Sequence, residues 1–263
     1  MPAGVRRLSG GMDGPNPLLV GWSIARSLVA TRTPRPFGVG NVEASEFDAV
    51  LKELATGGTS VLGALGPDLD AVIATLAKVD PDGLSPSGAL AFWIDLYNAG
   101  ALRLAATASG DGAPSVLRVP GAFSRPFVEV AGERLSLDAV EHAKVRRFGD
   151  PRIHAALVCG SVSCPTLRAG AYSGGDLDAD LDHQMRAFLS GGGATVESGV
   201  VTLSRVFSWY GSDFVRPHRM PTFLPTSRRS VLAALTRWLP FDVPPDAEVA
   251  FQSYDWGLRC SVG

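Results

Sequence analysis

Two of the chain's three cysteines and two of its four histidines fall within the 23 positions from His142 to Cys164. A thiol becomes a nucleophile near neutral pH when a base takes its proton, and histidine is the usual base. The run Asp150-Pro-Arg152-Ile-His154-Ala-Ala-Leu-Val-Cys159-Gly160-Ser161-Val-Ser-Cys164-Pro165, preceded by Glu141-His142, supplies both partners. Gly160 lets backbone approach a substrate closely, so the Gly160–Ser161 amides are candidates for part of an oxyanion site. Arg152 is a candidate holder of a substrate carboxylate. Cys159 and Cys164 have four residues between them, where redox dithiols typically have two, so an oxidoreductase is disfavoured. His142, His154, Cys159 and Cys164 are zinc-ligand types, but their spacing is looser than in common zinc motifs, and neither a metal nor a cofactor is expected.

Which histidine serves the thiol depends on the elements that carry them. The short apolar run from Ile153 to Val158, closed by a glycine-containing loop, reads as a strand. Side chains alternate across a strand, so His154 and Cys159, five apart, would face opposite sides. His142 then becomes the better base, arriving from a separate short helix that Ser136 caps. Glu141 precedes it on that helix and diverges from it by ~100°, which makes Glu141 a poor orienting group. A third member of a Cys-His-Asn/Asp arrangement is sought instead on the most apolar helix of the chain. There Ser85-Pro86 is a start signal, with Ser85 as N-cap and Pro86 at the first helical position. From Ala89 to about Ala106 the helix is apolar on nearly every face, which implies a buried central helix. Asp95 and Asn98 share one stripe of it. They are expected to satisfy nearby backbone groups or, in the sharper reading, to place Asn98 against the imidazole.

Around this helix the spacing predicts helices from Ser45, over Leu69–Val79, Asp176–Leu189 and Ser230–Leu239. Hairpins are expected about Ala131-Gly132 and Ser198-Gly199, with a closing strand at Val249–Tyr254. Helices and hairpins occur in mixed order without βαβ alternation, so the fold class is α+β: a single domain with a central buried helix and a small antiparallel sheet. Residues 1–40 read as a tail followed by an amphipathic helix from Leu18 to Val29, with Met12 as an alternative start, and residues 41–263 as the domain. Arg6-Arg7 precede an apolar stretch, but Arg26 interrupts it and no clean cleavage pattern follows, so an amphipathic helix is preferred to a signal peptide.

The composition narrows the function classes. At 46% hydrophobic residues and mean hydropathy +0.15, the 263-residue chain can bury a substantial core. A formal net charge of −2 gives no electrostatic reason to expect nucleic acid. The short basic runs Lys144-Val-Arg-Arg147 and Arg228-Arg229 read as solvated helix faces. No apolar run approaches the ~20 residues of a membrane-spanning helix. Three cysteines cannot all pair within one chain and are too sparse for a disulfide-stapled scaffold. Reduced thiols and a cytoplasmic location are therefore expected.

Several stretches resemble the family catalogued as domain of unknown function 547. They are Phe92-Trp-Ile-Asp-Leu-Tyr-Asn-Ala99, Leu137–His142, Asp150–Pro165, Leu203-Ser-Arg-Val-Phe-Ser-Trp-Tyr-Gly-Ser-Asp-Phe214 and Tyr254-Asp-Trp-Gly-Leu258. Residues 1–40 fall outside the resemblance. The chain departs from the family's common wording at Asp95 and Val158, and at Arg259, each commonly Asn. The resemblance implies that Asn98, His142 and Cys159 form the more widely kept trio, since eukaryotic members can lack counterparts of His154 and Cys164. It also implies a relation to papain-like or transglutaminase-like cysteine enzymes.

The combined expectation is a cysteine-dependent hydrolase or acyl transferase acting on an amide or thioester of a small molecule or peptide. Cys159 is the nucleophile, His142 the base and Asn98 the orienting group, with Gly160, Ser161, Arg152, His154 and Glu141 around the substrate. The alternative is a non-catalytic interaction or scaffold domain in which the same residues form a structural network.

Overall fold

The computed structural model describes residues 17–217 and 225–263. The expected N-terminal tail and the alternative start at Met12 lie outside the described residues. The helices, in chain order, are α1 (Pro17–Ala30), α2 (Ser45–Gly57), α3 (Gly66–Leu76), α4 (Pro86–Gly110) and α5 (Leu137–Ala139), then α6 (Ile153–Ala156), α7 (Leu177–Phe188), α8 (Arg205–Trp209), α9 (Gly211–Val215) and α10 (Arg228–Leu235). Among the described residues, five short strands complete an α+β fold: β1 (Val128–Val130), β2 (Glu133–Leu135), β3 (Ala194–Glu197), β4 (Val200–Leu203) and β5 (Glu248–Phe251).

The central helix is α4. Ser85 Oγ accepts the Gly88 N–H at 3.0 Å, and Pro86 opens the first turn without needing a hydrogen-bond partner for its nitrogen. Of its apolar residues, Ile94, Leu96 and Ala99 are completely buried. Helices α2 and α3 pack with it into the larger core cluster. Asp95 sits inside this core with both carboxylate oxygens 3.1 Å from the Tyr172 amide N–H. Burial pushes its carboxyl well above the ordinary range, against the Tyr172 N–H that it accepts.

Both expected hairpins form. Their two-residue turns have positive φ at both central positions, +49° and +80° at Ala131-Gly132 and +49° and +79° at Ser198-Gly199. That is the turn whose twist matches paired strands, and the glycine takes the second position without a Cβ penalty. The strands β1 and β2 stand alone as an antiparallel pair, while β3 and β4 gain β5, which runs parallel to β4. The expected antiparallel sheet is therefore a hairpin plus a mixed sheet, because α8, α9 and α10 occupy the crossover between β4 and β5. A second apolar cluster lies under that sheet, with Met185 of α7, Phe207 of α8 and Leu235 of α10 at its centre.

Two local expectations are corrected. The run Ile153–Val158 is not a strand: Ile153–Ala156 forms a helical turn, and only from Leu157 does the backbone become extended. Strand alternation therefore does not separate His154 from Cys159. The basic run Lys144–Arg147 is not a solvated face either. Lys144 is buried and donates to Glu133 (2.6 Å) and to the Arg32 carbonyl (2.7 Å), which pins the segment after α1 to the domain. Arg146 is also buried. Among the described residues no helix is long and apolar enough to cross a membrane.

Candidate functional site

A cavity of about 330 Å³ opens between the two core clusters, within the size range of small-molecule sites. Four segments meet on it. The first is the turn after α5, which continues as a π-helical turn, Val140–Lys144, carrying Glu141 and His142; such irregular turns are frequent at functional sites. The second is α6 and the following loop, with His154, Cys159 and Cys164. The third is α8–α9 with Trp209 and Tyr210, and the fourth is the C-terminal segment with Tyr254 and Trp256. The helix α1 closes a further side with Ser23 and Ile24, although it lies outside the sequence resemblance.

Cys159 and Cys164 are bonded to each other, with Cα atoms 6.3 Å apart. The expectation of reduced thiols is thereby corrected for these two, while Cys260 is free and buried. Both bonded sulfurs touch the Tyr254 hydroxyl, at 3.1 and 3.3 Å, and that hydroxyl accepts from Ser161 Oγ at 2.8 Å. Burial pushes the Tyr254 phenol up to about 12, so it stays protonated beside the sulfurs. Cys260, surrounded by core, has its thiol pushed up to about 12 by burial and is inert near neutral pH.

The charged centre lies beside the disulfide. Arg146 makes a two-pronged pair with Asp213, Nε to Oδ2 at 2.7 Å and Nη2 to Oδ1 at 2.8 Å. His154 Nε2 lies 2.9 Å from the same Asp213 Oδ2, and its ring stacks on Tyr210 at 3.9 Å between centroids. Burial would raise the Asp213 carboxyl, but His154 and Arg146 outweigh it and hold the group well below the carboxylate range. Asp213 is therefore an acceptor only, which places a His154 proton on Nε2.

His142 is oriented otherwise. Its Nδ1 lies 3.3 Å from Arg146 Nη1 and 3.6 Å from Glu141 Oε1. A guanidinium can only donate, so Nδ1 accepts and the ring is neutral; burial, with Arg146 and His154 nearby, pushes its pKa down to about 4 against the pull of Glu141. Glu141 is thus nearer to His142 than regular helix geometry suggests, because the wider π-helical turn brings the neighbours together. Its two oxygens accept from Tyr210 (2.6 Å) and Tyr97 (3.2 Å). Burial acts to raise this carboxyl, yet its polar and cationic surroundings keep it below its ordinary value. We take the Tyr210 hydroxyl and Arg146 as the groups that hold it ionised.

The structure brings His142, His154, Glu141 and Cys159 to one cavity and leaves the other expected residues out of its wall. Asn98 does not orient His142: its Nδ2 donates to the Ala156 carbonyl and its Oδ1 accepts from the Val158 N–H, both at 3.0 Å. Arg152 points away from the cavity, its guanidinium paired with Asp150 and Asp178 at 2.6 and 2.7 Å, on the side where α6 meets α7. Gly160 and Ser161 do not form an oxyanion wall. Gly160, with φ +77°, packs where an added Cβ would lie 3.2 Å from Ala105 and Val116, and its carbonyl accepts from the Arg259 N–H at 3.2 Å. Asp213, Tyr97, Tyr210 and Tyr254 were missed as site residues. Three of them stand in the stretches Leu203–Phe214 and Tyr254–Leu258, whose resemblance was the available signal. Among the described residues no three His, Cys, Asp or Glu side chains converge as metal ligands.

Asp138, also on the cavity wall, accepts from Ser23 Oγ of α1. Burial, and next to it Glu141, push its carboxyl up to about 6, against Ser23 and Arg26. The sign follows directly: between the unfolded value near 3.9 and about 6, the folded chain holds a proton that the unfolded chain has lost, so stability falls as pH rises through this window. Asp138→Asn, which keeps an acceptor for Ser23, should stabilise the protein above pH 6 by up to about 2–3 kcal/mol. The gain should vanish by about pH 4. Urea melts at both ends of the window test it, and an equal gain at both would exclude titration as the cause.

These features define an α+β domain with a sulfur pair and a His-Asp pair at one aromatic-walled cavity. Residues 81–189 match the model of the family described as Protein of unknown function, DUF547. The match takes in Tyr97, Glu141, His142, His154 and both bonded cysteines; Trp209, Tyr210, Asp213 and Tyr254 lie beyond it. No curated protein and no solved structure matches the chain.

Proposed function

We propose that the protein is a cysteine-dependent hydrolase or acyl transferase acting on an amide or thioester, with Cys159 as nucleophile once the Cys159–Cys164 bond is opened. The observation that carries this reading is the placement of Cys159 on the same cavity wall as His154, whose ring Asp213 orients. His142, the base that the sequence favours, is bound to Arg146 and is a weak proton acceptor. His154, with its Nε2 held by the Asp213 carboxylate, fits that role better.

Opening the disulfide takes two electrons from two external thiols, or from one dithiol, which leave joined as a disulfide. The Cys159 thiol then gives its proton to His154 and attacks the substrate carbonyl carbon as the thiolate. The imidazolium returns that proton to the departing amine or thiol as the carbon–heteroatom bond breaks, leaving a thioester on Cys159. Water or a second nucleophile releases the acyl group and restores the thiol. The competing reading is a scaffold domain, favoured by the mutual saturation of Glu141, Arg146, Asp213 and the two tyrosines.

Iodoacetamide labelling and an activated chromogenic ester decide between them. After reduction, Cys159 should be alkylated at least about tenfold faster than Cys260, and an acyl adduct should appear on Cys159. Cys159→Ser should abolish the adduct, as should omission of the reductant. Labelling of Cys159 no faster than of buried Cys260, or an adduct that persists in Cys159→Ser, would sink the enzyme reading.

A further inference from the structure

The wall of the cavity is of two kinds. At its mouth Trp209, Tyr254 and Trp256 pack ring against ring, with centroids 4.6 to 5.9 Å apart, and Trp209 is 41% exposed. Deeper in, the wall carries the carboxylates of Asp138 and Glu141 and the hydroxyl of Tyr210. Among the described residues that line it there is no lysine and no arginine. Of the neighbouring cations, Arg146 pairs with Asp213 behind the His142 ring, Lys144 with Glu133, and Arg152 with Asp150 and Asp178. Arg26 acts on Asp138 from the exposed side of α1.

An anionic ligand would face buried Glu141 with no guanidinium or ammonium on the wall to receive it, which costs the attraction that carboxylate and phosphate sites depend on. A ligand with a protonated nitrogen meets the reverse situation. The negative faces of indole and phenol rings attract it at the mouth, and the carboxylates attract it within. The ring cluster is too closely packed to enclose a cation as a cage, so it serves as a platform on which an apolar or aromatic group lies flat.

We infer that the cavity takes an apolar or aromatic ligand bearing a cationic nitrogen, the platform of Trp209, Tyr254 and Trp256 receiving its apolar part and Asp138 and Glu141 its charge. This deepens the proposed function by naming a substrate class: an amide or thioester of an amine-bearing, aromatic or apolar acyl group, not one with a free carboxylate or phosphate. It rests on the cavity's being the substrate site of Cys159.

Ligand-observed NMR with three probes of one shape tests the inference: phenethylamine, 2-phenylethanol and 3-phenylpropionate, each titrated into the full chain near neutral pH. The amine should bind about tenfold more tightly than the acid, with the alcohol between them. Asp138→Asn should narrow the preference for the amine over the acid. Trp209→Ala, with its fold checked by a urea melt, should weaken the amine and the alcohol together by about fivefold. The acid binding as tightly as the amine, absence of amine binding, or indifference to both substitutions would each overturn it. Because binding needs no thiol chemistry, the titration and the reactivity of Cys159 separate the two ideas. Amine binding by a wild-type protein whose reduced Cys159 proves unreactive rejects the enzyme reading alone, and reactive Cys159 with no amine preference rejects this inference alone.

Discussion

Arg146→Met should lose about 3–5 kcal/mol of folding stability, although it exchanges one long side chain for another. The Arg146 side chain has no exposed surface, and its guanidinium is divided among Asp213, the His142 ring and the face of Tyr210, whose centroid is 5.3 Å away. Removing it leaves the largely buried Asp213 beside the His154 ring and the Ser212 hydroxyl, without a permanent positive charge. Breaking a buried pair costs more than the pair itself contributes, since both its ions were already desolvated on folding. The double variant Arg146→Met/Asp213→Leu should therefore recover more than about 1 kcal/mol relative to the single one. Urea denaturation of wild type and the three variants closes the cycle. A loss below about 1 kcal/mol for Arg146→Met would mean that the cluster is not a stability element. Asp213, held below its unfolded range, contributes stability that is present above about pH 4 and lost as pH falls through its folded value. The penalty of Arg146→Met should accordingly shrink in acid.

This cluster was only half legible in the sequence. His142 and His154 stood out because histidine is rare in the chain, whereas Asp213 is one of 26 acidic residues and has no spacing that ties it to either. Its pairing is a tertiary fact, made by α9 returning against the π-helical turn. The buried state of Lys144 and Arg146 was likewise hidden. A basic run reads as solvent-facing unless its counter-charges are known, and those come from Glu133, on the adjacent hairpin, and from Asp213, 67 residues away. Signals confined to a few neighbouring residues were read correctly: the Ser85-Pro86 start of α4, the Ser136 cap with its 3.2 Å bond to the Ala139 N–H, and both hairpin turns. Each depends on local backbone chemistry that tertiary packing had no reason to override.

The misreading of Ile153–Val158 has a different cause. A buried apolar run of six residues has no periodicity that separates strand from helix, and the glycine after it suits either. The Pro151 and Ile153 backbone resolves the ambiguity by helical turns: His154 N–H bonds to the Pro151 carbonyl at 3.3 Å and Leu157 N–H to that of Ile153 at 2.9 Å. With that turn in place His154 and Cys159 share a cavity, and the preference for His142 loses its geometric ground. The Cys159–Cys164 bond escaped for a similar reason. Three sparse cysteines argue for reduced thiols on average, but the reversal of chain after Gly160 brings these two together locally.

Asn98→Ala should cost about 2–5 kcal/mol and reduce Cys159 reactivity only as a consequence. The Asn98 side chain works as a backbone mimic: with its donor on the Ala156 carbonyl and its acceptor on the Val158 N–H, it continues a hydrogen-bond ladder where α6 ends and no strand pairs with the chain. Both backbone groups are buried, and alanine would leave each unsatisfied, at about 1–3 kcal/mol apiece. The clamp holds residues 156–158 rigidly against α4, and Cys159 is the next residue, so the position of the sulfur depends on Asn98 without contact between them. Asn98→Asp discriminates further. A carboxylate still accepts from Val158 but presents a second acceptor to the Ala156 carbonyl, so it should be destabilising too, and more so at neutral pH than near pH 4, where protonation restores a donor. An orienting residue of a catalytic imidazole would give the opposite pattern: a shifted pH profile of Cys159 alkylation at nearly unchanged stability. Urea melts of both variants beside alkylation rates across pH separate the two roles. Stability within about 0.5 kcal/mol of wild type for Asn98→Ala would refute the clamp.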